Sequence, residues 1–184
     1  MTTRTVALLV ASLRTGSINQ RLARAVARYA PENLTFEQIA MHELPFYNGD
    51  LEGKRPSSVD AFTDAIRAHD AVCCVTPEYN RSIPGMLKNA IDWGSKPMGH
   101  NVWSGKVLAM TGASMGGIGT AVAQQHLRQV LSILHCIVMP GETYITFKTP
   151  DMIADDGTIS DESVRDFITA FGKRFARLID KMAD

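Results

Sequence analysis

The sequence predicts an α/β fold in which a parallel sheet is covered by helices on both faces. Short apolar runs typical of buried strands alternate along the 184 residues with segments whose apolar residues recur at helical spacing. Because right-handed crossovers place helices on both sides of a parallel sheet, five such strands and five helices predict a doubly wound architecture. No repeat or linker interrupts the pattern, so we expect a single domain over residues 1–184.

The first and third predicted strands are continuous apolar runs, as expected of strands buried on both faces of a sheet. Neighbouring residues of a strand point to opposite faces of its sheet, so Cys73 and Cys74 are expected on opposite sides. The five predicted strands are Thr5–Ala11, Leu34–Ile39, Ala71–Thr76, Lys106–Thr111 and Cys136–Met139.

A segment of helical period follows each predicted strand. Ser17 and Gln20 are placed as a capping box before the first helix, and Pro84 suits the first turn of the third. A glycine-rich turn precedes the fourth helix, and an Asp-Asp-Gly turn precedes the last. The apolar faces of the five predicted helices fall within residues 18–29, 59–66, 84–93, 122–134 and 164–182.

The charge composition argues against two classes of partner. Nineteen basic residues balance nineteen acidic residues, so the chain has no net positive field with which to bind nucleic acid or an anionic membrane. The apolar run 6–11 is too short for a signal peptide or a membrane span. The three cysteines lie in predicted buried strands, which favours reduced thiols and a cytoplasmic protein.

Three loops of unusual composition follow the first, third and fourth predicted strands. In a five-stranded sheet of order 2-1-3-4-5, ligands bind beyond the carboxyl ends of the strands, where the strand order reverses. The loops at residues 12–19, 77–84 and 112–119 are therefore expected to converge on one ligand site.

The first loop has the composition of an anion-binding cradle. Hydroxyl, guanidinium and amide groups stand directly before a helix N-terminus, where free backbone N–H groups and the helix dipole favour a phosphate. The candidates are Ser12, Arg14, Ser17 and Asn19. The alternative is helix capping alone, with Arg14 as a solvated charge. The loop lacks the dinucleotide and P-loop fingerprints, so a monophosphate fits it better.

The second loop is stiffened by Pro77 and Pro84, and its backbone donors and aromatic ring suit a flat heterocycle with polar edges. The alternative is a purely structural turn in which Glu78 and Arg81 are surface charges.

The third loop contains Gly-Ala-Ser-Met-Gly at residues 112–116, which matches the nucleophile pattern of serine hydrolases. Those enzymes place an acid and then a histidine after the serine, and that order is absent here. A different topology with His126 or His135 leaves a hydrolase using Ser114 as an alternative. The preferred interpretation is that Gly116, Gly117 and Gly119 let the backbone approach a ligand closely, while Ser114 donates a hydrogen bond to it. The histidines and cysteines show no metal-ligand spacing.

Four motifs together resemble the NAD(P)H-dependent FMN reductase family, and are most similar to its branch of quinone, chromate and azo-dye reductases. The resemblance spans most of the chain. The motifs are SLRTGSIN at 12–19, LPFYNGD at 44–50, TPEYNRSIPG at 76–85 and LKNAID at 87–92.

The resemblance implies a flavodoxin-like fold that binds FMN without a covalent link. It implies that NADPH or NADH donates a hydride to flavin N5 and that quinones, azo compounds, chromate or free flavin then accept electrons at the same face, by ping-pong kinetics. No side chain is assigned a catalytic role. The implied FMN-binding residues are Ser12, Arg14, Ser17, Ile18 and Asn19 at the phosphate, Pro77, Glu78, Tyr79 and Asn80 at the ring edge, and Ser114 and Gly117 opposite.

The resemblance also implies a homodimer or homotetramer. Residues 96–103, Arg128 and Glu142 are candidate contacts, although Trp93 and Trp103 suit a core equally well. The alternative function is that of a flavodoxin-type electron carrier without NAD(P)H oxidation. The near-zero net charge ranks it second, since such carriers use a strongly acidic surface to find partners.

Overall fold

The computed structural model describes residues 2–183, in which strands and helices alternate along the chain. The strands are β1 Arg4–Val10, β2 Leu34–Gln38, β3 Ala71–Val75, β4 Val107–Ser114, β5 Ile137–Val138 and β6 Tyr144–Thr146. The helices are α1 Ile18–Arg28, α2 Ser57–Ala68, α3 Gly85–Gly94, α4 Ala121–Ser132 and α5 Glu162–Ala183, with a 3-10 helix at Gly49–Lys54.

The sheet has the predicted order β2-β1-β3-β4-β5, and its strand pairs are parallel. The prediction of a doubly wound sheet of order 2-1-3-4-5 is therefore confirmed. A sixth short strand, β6, was not predicted; it pairs with the last residues of β4, 112–114. Only Ile145 of its three residues is buried, so it carries no apolar run that sequence patterning could detect.

The lengths of β4 and β5 differ from those that the sequence predicts. β4 runs to Ser114, three residues beyond the expected end, because β6 supplies a partner for residues 112–114. β5 is shorter than predicted, since only Ile137 and Val138 pair with β4. The predicted capping box is half formed: the Ser17 hydroxyl accepts from the first turn of α1, but the Ser17 amide donates to the Arg14 carbonyl.

Two apolar cores lie on opposite faces of the sheet. One core includes Cys73 and is closed mainly by α1 and α5, and the other includes Cys74 and is closed mainly by α2, α3 and α4. The expectation that these two cysteines face opposite sides is confirmed. Trp93 and Trp103 are fully buried, each with its indole N–H bonded to a backbone carbonyl, so both are core residues.

This architecture places the carboxyl ends of β1, β3 and β4 side by side. The backbone N–H of Ala11 donates to Val75 and that of Thr76 donates to Thr111, which continues the sheet into the first residues after the strands. The loops that follow therefore begin from a rigid edge. Across residues 2–183, none of the helices combines the length and apolar character needed to cross a bilayer.

Candidate functional site

A crevice of about 210 Å³ opens where the three predicted loops meet at the carboxyl edge of the sheet. The convergence expected from strand order is therefore present. The crevice is lined by Ser12, Arg14, Ser17, Ile18, Asn19, Pro77, Glu78, Tyr79, Ala113, Ser114 and Met115.

The first loop closes one end of the crevice with a hydroxyl pair and free backbone donors. The Ser17 hydroxyl donates to Ser12 Oγ at 2.8 Å and accepts from the Asn19 amide at 3.2 Å. The amides of Gly16 and Ile18 donate to no other backbone group within residues 2–183. Gly16 has φ +67°, and an added Cβ would meet nothing within 4 Å. Unpaired N–H groups at a helix N-terminus are the donor set that a phosphate requires.

Asn19 joins the first loop to the third. Its Nδ2 donates to the Ala113 carbonyl at 2.9 Å, and its Oδ1 accepts from the Ala113 amide at 2.8 Å. The residue is 2% exposed. Both polar ends of the side chain are therefore engaged with strand β4, and Asn19 acts in this structure as a bridge between α1 and the third loop.

The second loop contains a tight two-residue turn. Tyr79 and Ser82 exchange two backbone hydrogen bonds of 2.9 Å, and the residues between them, Asn80 and Arg81, have φ of 50° and 65°. Positive φ at both central positions defines a type I′ turn. Asn tolerates this region well, whereas a residue such as Arg is held there at a cost of roughly 1–2 kcal/mol. The turn holds Tyr79 at the rim of the crevice.

Glu78 caps the N-terminus of helix α4. Its Oε2 accepts from the Ala123 amide at 3.0 Å, and Arg81 donates to its Oε1 at 3.3 Å. The side chain is only 9% exposed, and Thr120, which precedes the helix, provides no side-chain cap. The alternative that treated Glu78 as a surface charge is therefore wrong. The carboxylate satisfies an orphan amide and fixes the second loop against α4.

The third loop is folded on itself and supported by β6. Ser114 Oγ accepts from the Gly116 amide at 3.1 Å, and the Ser114 carbonyl accepts from the Phe147 amide at 2.8 Å. Gly112 comes so close to β3 that a Cβ there would lie 2.0 Å from the Thr76 carbonyl oxygen. Sequence analysis assigned no role to Gly112, whose lack of a side chain lets the second and third loops begin next to each other.

The structure does not form a serine hydrolase site. Within residues 2–183, Ser114 Oγ has one hydrogen-bond partner, the backbone amide of Gly116, and His126 Nδ1 instead lies 2.7 Å from Ser82 Oγ. His135 is exposed beyond the end of α4 with φ +63°. A nucleophile needs a base within hydrogen-bond reach, which Ser114 lacks here.

Nine of the eleven predicted binding residues line the crevice. The exceptions are Asn80, at the exposed tip of the turn, and Gly117, in the exposed part of the third loop. Ala113 and Met115 also line the crevice and were not predicted as binding residues. The sequence offered one indication of this, since both residues are direct neighbours of the predicted binding residue Ser114.

The described residues offer neither a metal-binding cluster nor a reactive thiol. Within the described part of the chain, no three His, Cys, Asp or Glu side chains are grouped to hold a metal ion. Burial raises the pKa of the Cys73 and Cys136 thiols to about 12 and that of Cys74 well above its ordinary range. Protonated thiols are poor nucleophiles, so these cysteines are packing residues.

Comparison with known proteins identifies the family. The family model described as NADPH-dependent FMN reductase matches residues 4–150. A quinone reductase from Pseudomonas putida is 44% identical over 174 residues, covering 93% of this chain and 92% of that protein. A 2-hydroxy-1,4-benzoquinone reductase from a Burkholderia species is 40% identical over 171 residues, covering 93% of each.

A solved structure is similar over nearly the whole fold. The flavoenzyme NAD(P)H:(acceptor) oxidoreductase FerB from Paracoccus denitrificans superposes with a TM-score of 0.93 at 41% identity, and the match covers 97% of this chain and 98% of that one. The strand order, the crevice and these similarities agree with one another. The chain belongs to the NADPH-dependent FMN reductase family, and it is a flavodoxin-like oxidoreductase that uses FMN and NAD(P)H.

Proposed function

We propose that the protein transfers electrons from NADPH or NADH to small acceptors, with quinones as the first class, through FMN held in the crevice. The observation that carries this proposal is the convergence of a phosphate-type cradle, a rigid turn and a glycine-rich loop on one open crevice. Relatives that are 40–44% identical are quinone reductases. Azo compounds, chromate and free flavin are further acceptors in this proposal.

FMN held in the crevice would supply the hydride-transfer and electron-transfer chemistry, which the chain's own side chains do not provide. The chain's own residues bind and orient it. Ser12, Arg14, Ser17 and Ile18 hold the 5′-phosphate with hydroxyl, guanidinium and amide donors, and Asn19 contributes by fixing their position against β4. Each charge-assisted bond contributes roughly 1.5–3 kcal/mol.

The remaining lining residues would frame the ring, with Pro77, Glu78 and Tyr79 along one edge and Ser114 on the opposite side. Asn80 and Gly117, which the family resemblance assigns to the same two sides, lie outside the crevice. Tyr79 and Met115 are 46% and 70% exposed. Because the rim is open, one face of the ring would stay accessible, and donor and acceptor would use the same space in turn, as ping-pong kinetics require. Backbone N–H groups of the loops would stabilise the negative charge that develops at the ring edge on reduction.

An anaerobic titration tests the function. The FMN-loaded protein is mixed with NADH or NADPH, and the visible absorbance of the oxidised flavin is followed. Rapid two-electron bleaching, followed by recovery on addition of a quinone, is the expected result. An unchanged spectrum with both nucleotides would instead support an electron carrier that does not oxidise NAD(P)H.

Arg14→Ala tests the phosphate assignment. The variant is expected to weaken FMN binding about tenfold or more and to leave riboflavin binding nearly unchanged, because only FMN carries the phosphate. Flavin fluorescence titration of the apo-protein measures both constants. Arg67→Ala, which removes an exposed arginine paired with Asp64 on α2, is the control. Equal losses for FMN and riboflavin would contradict the assignment.

We further propose that residues 1–184 form one FMN-binding domain that acts in the cytoplasm as a homodimer or homotetramer. The exposed apolar residues Leu13, Tyr79 and Met115 at or near the crevice support self-association, because such side chains are favoured at interfaces. The free cysteines, which have no disulfide partner within the described residues, support a reducing compartment. Sedimentation velocity of the FMN-loaded protein tests the assembly, and a monomer at micromolar concentration would contradict it.

A further inference from the structure

The acceptors of the proposed reaction need protons as well as electrons. Reduction of a quinone to a hydroquinone takes up two electrons and two protons, and a hydride delivers both electrons but only one of the protons. The second proton has to reach a carbonyl oxygen of the acceptor, which occupies the open rim of the crevice in the proposed function. A positioned side chain that delivers such a proton accelerates the reaction by roughly 10²–10⁴-fold.

Two of the side chains that line the crevice, Glu78 and Tyr79, belong to the types that act as general acids in enzymes. Glu78 caps α4, and its two carboxylate oxygens accept hydrogen bonds from the Ala123 amide and from Arg81. An ionised carboxylate accepts hydrogen bonds but has no proton to donate. Tyr79 is therefore the lining residue best suited to deliver a proton.

The Tyr79 hydroxyl is available to a ligand. Two of the four tyrosines have structural partners: the Tyr29 hydroxyl accepts from the Ile159 amide at 3.1 Å, and the Tyr47 hydroxyl donates to Glu52 Oε1 at 2.5 Å. Across residues 2–183 the Tyr79 hydroxyl has no such partner, and the residue is 46% exposed. A phenol that contacts both the crevice and the solvent can give a proton to one and recover it from the other.

The backbone around Tyr79 is held firmly against the rest of the site. Two 2.9 Å hydrogen bonds pair Tyr79 with Ser82 across the type I′ turn, and the neighbouring Glu78 is anchored to α4. The Ser82 hydroxyl lies 2.7 Å from His126 Nδ1, so a further contact ties the same turn to α4. Such anchoring matters for a general acid, because proton transfer requires the donor within hydrogen-bond reach of the accepting oxygen.

On the basis of the proposed function, we propose that Tyr79 is a catalytic residue, the general acid that protonates the acceptor as it is reduced. The reduced flavin loses a hydride and becomes oxidised, and the quinone gains that hydride. The negative charge that develops on a carbonyl oxygen of the quinone takes the proton of Tyr79, whose phenol O–H bond breaks as the new O–H bond forms. The resulting tyrosinate recovers a proton from solvent water, and the acceptor leaves as a hydroquinone.

Tyr79→Phe tests this role, because it keeps the ring and removes only the hydroxyl. FMN-loaded protein is reduced anaerobically with one equivalent of dithionite, and stopped-flow absorbance follows its reoxidation by 1,4-benzoquinone, which takes up protons, or by ferricyanide, which takes up electrons alone. The ratio of the quinone rate to the ferricyanide rate is expected to fall roughly tenfold to a hundredfold, since water replaces part of the lost acid. Tyr144→Phe is the matched control, since Tyr144 is 36% exposed on β6 and does not line the crevice. It is expected to keep the wild-type ratio.

A binding measurement detects the same hydrogen bond without turnover. Pentafluorophenolate is ionised at neutral pH and carries a phenolate oxygen like the one that develops on the acceptor. Its affinity for the oxidised, FMN-loaded protein is read from the change in the flavin spectrum. It is expected to bind about tenfold more weakly to Tyr79→Phe than to the wild type or Tyr144→Phe, because a hydrogen bond to a charged oxygen is lost.

The two measurements separate the role of Tyr79 from the proposed function. An unchanged rate ratio in Tyr79→Phe overturns the general-acid role, and so does a lower ratio with unchanged phenolate binding, since the hydroxyl then does not meet the acceptor oxygen. Dithionite supplies the electrons in both cases, so these results do not depend on oxidation of NAD(P)H. A wild-type protein that neither NADH nor NADPH reduces would instead contradict the proposed function itself.

Discussion

Single residues set how closely the loops of the crevice approach one another. Gly112 is the tightest case, because a Cβ there would lie 2.0 Å from the Thr76 carbonyl oxygen and 2.6 Å from Thr120 Oγ1. Asn19 is a second case, in which one buried side chain joins α1 to β4 by two hydrogen bonds to the backbone of Ala113. Both residues act through geometry, and each can be tested by one substitution.

Gly112→Ala is expected to destabilise the protein by about 3 kcal/mol, because the added methyl group forces β3 and β4 apart. For a chain of this size, that lowers the Tm by roughly 6–12 °C. Thermal unfolding followed by circular dichroism measures the change. Gly53→Ala is the control, since a Cβ at Gly53 would meet no atom within 4 Å. Equal Tm values for the two variants would contradict the close approach.

Asn19→Ala removes both hydrogen bonds to Ala113 and leaves a buried donor and acceptor unpaired. Each unpaired group costs about 1–3 kcal/mol, so the free energy of unfolding is expected to fall by roughly 2–4 kcal/mol. Urea denaturation measures it. Asn48→Ala removes an exposed asparagine whose Oδ1 accepts from the Asp50 amide, and it should cost no more than about 1 kcal/mol. A loss no larger than that of Asn48→Ala would show that the bridge is unimportant.

At the scale of elements, helix α4 depends on a residue from another loop. Its own N-cap position offers no side-chain acceptor, and Glu78 provides one from 45 residues earlier in the chain. The cap therefore ties the conformation of the second loop to helix α4, which follows the third loop. Loss of the cap is therefore expected to affect both helix stability and the position of the turn at Tyr79.

Glu78→Ala is expected to lower the free energy of unfolding by about 1–2 kcal/mol, because it removes a hydrogen bond and a favourable charge at a helix N-terminus. Glu78→Gln keeps an acceptor oxygen and should lose less. Urea denaturation compares both with Glu43→Ala, which removes an exposed carboxylate and should stay within about 0.5 kcal/mol of the wild type. If all three variants unfold alike, Glu78 does not cap α4.

The elements that sequence patterning predicted well are those with strong local signals. The apolar run at Ala71–Val75 and the apolar face of α1 can each be recognised from the local sequence alone. β6 escaped prediction because three residues with one buried side chain show no period. The roles of Asn19 and Glu78 escaped it as well, since their partners lie 94 and 45 residues away and a backbone partner has no sequence signature.

The site itself was predictable in outline because topology brings strand ends together whatever the loop details are. Nine of eleven assigned residues line the crevice for this reason. Asn80 does not, because the type I′ turn directs the chain at Tyr79 and Ser82 back on itself and leaves Asn80 at the tip. A type I′ turn requires positive φ at both central residues, and an arginine at the second of these positions gives no indication of positive φ in the sequence.

At the scale of the whole molecule, the sheet separates two dry cores, and buried thiols occur in both. Cys73 and Cys74 are neighbours in sequence but belong to different cores. Desolvation raises the pKa of Cys73 to about 12 from an ordinary value of 9.0. A thiol that stays protonated in the folded protein but ionises in the unfolded chain links stability to pH.

The sign of this linkage predicts a loss of stability in alkali. Below pH 9 the thiol is protonated in both states and contributes no pH dependence; between pH 9 and about 12 only the unfolded chain releases its proton, which favours unfolding. Each such thiol lowers the free energy of unfolding by about 1.4 kcal/mol per pH unit in that window. Cys73→Ala removes one titrating group, so its stability should fall less steeply than that of the wild type.

Urea denaturation at intervals between pH 7 and pH 10.5 measures both slopes. The two curves should run parallel up to about pH 8, separated by the packing cost of losing the sulfur, and then converge as the wild type loses its thiol contribution. Cys73→Ser is the control for packing, since it has a different size and polarity but likewise lacks a group that titrates in this range. Slopes above pH 9 that are the same in the wild type and both variants would mean that Cys73 ionises in the folded state, and hence that the core around β3 admits water.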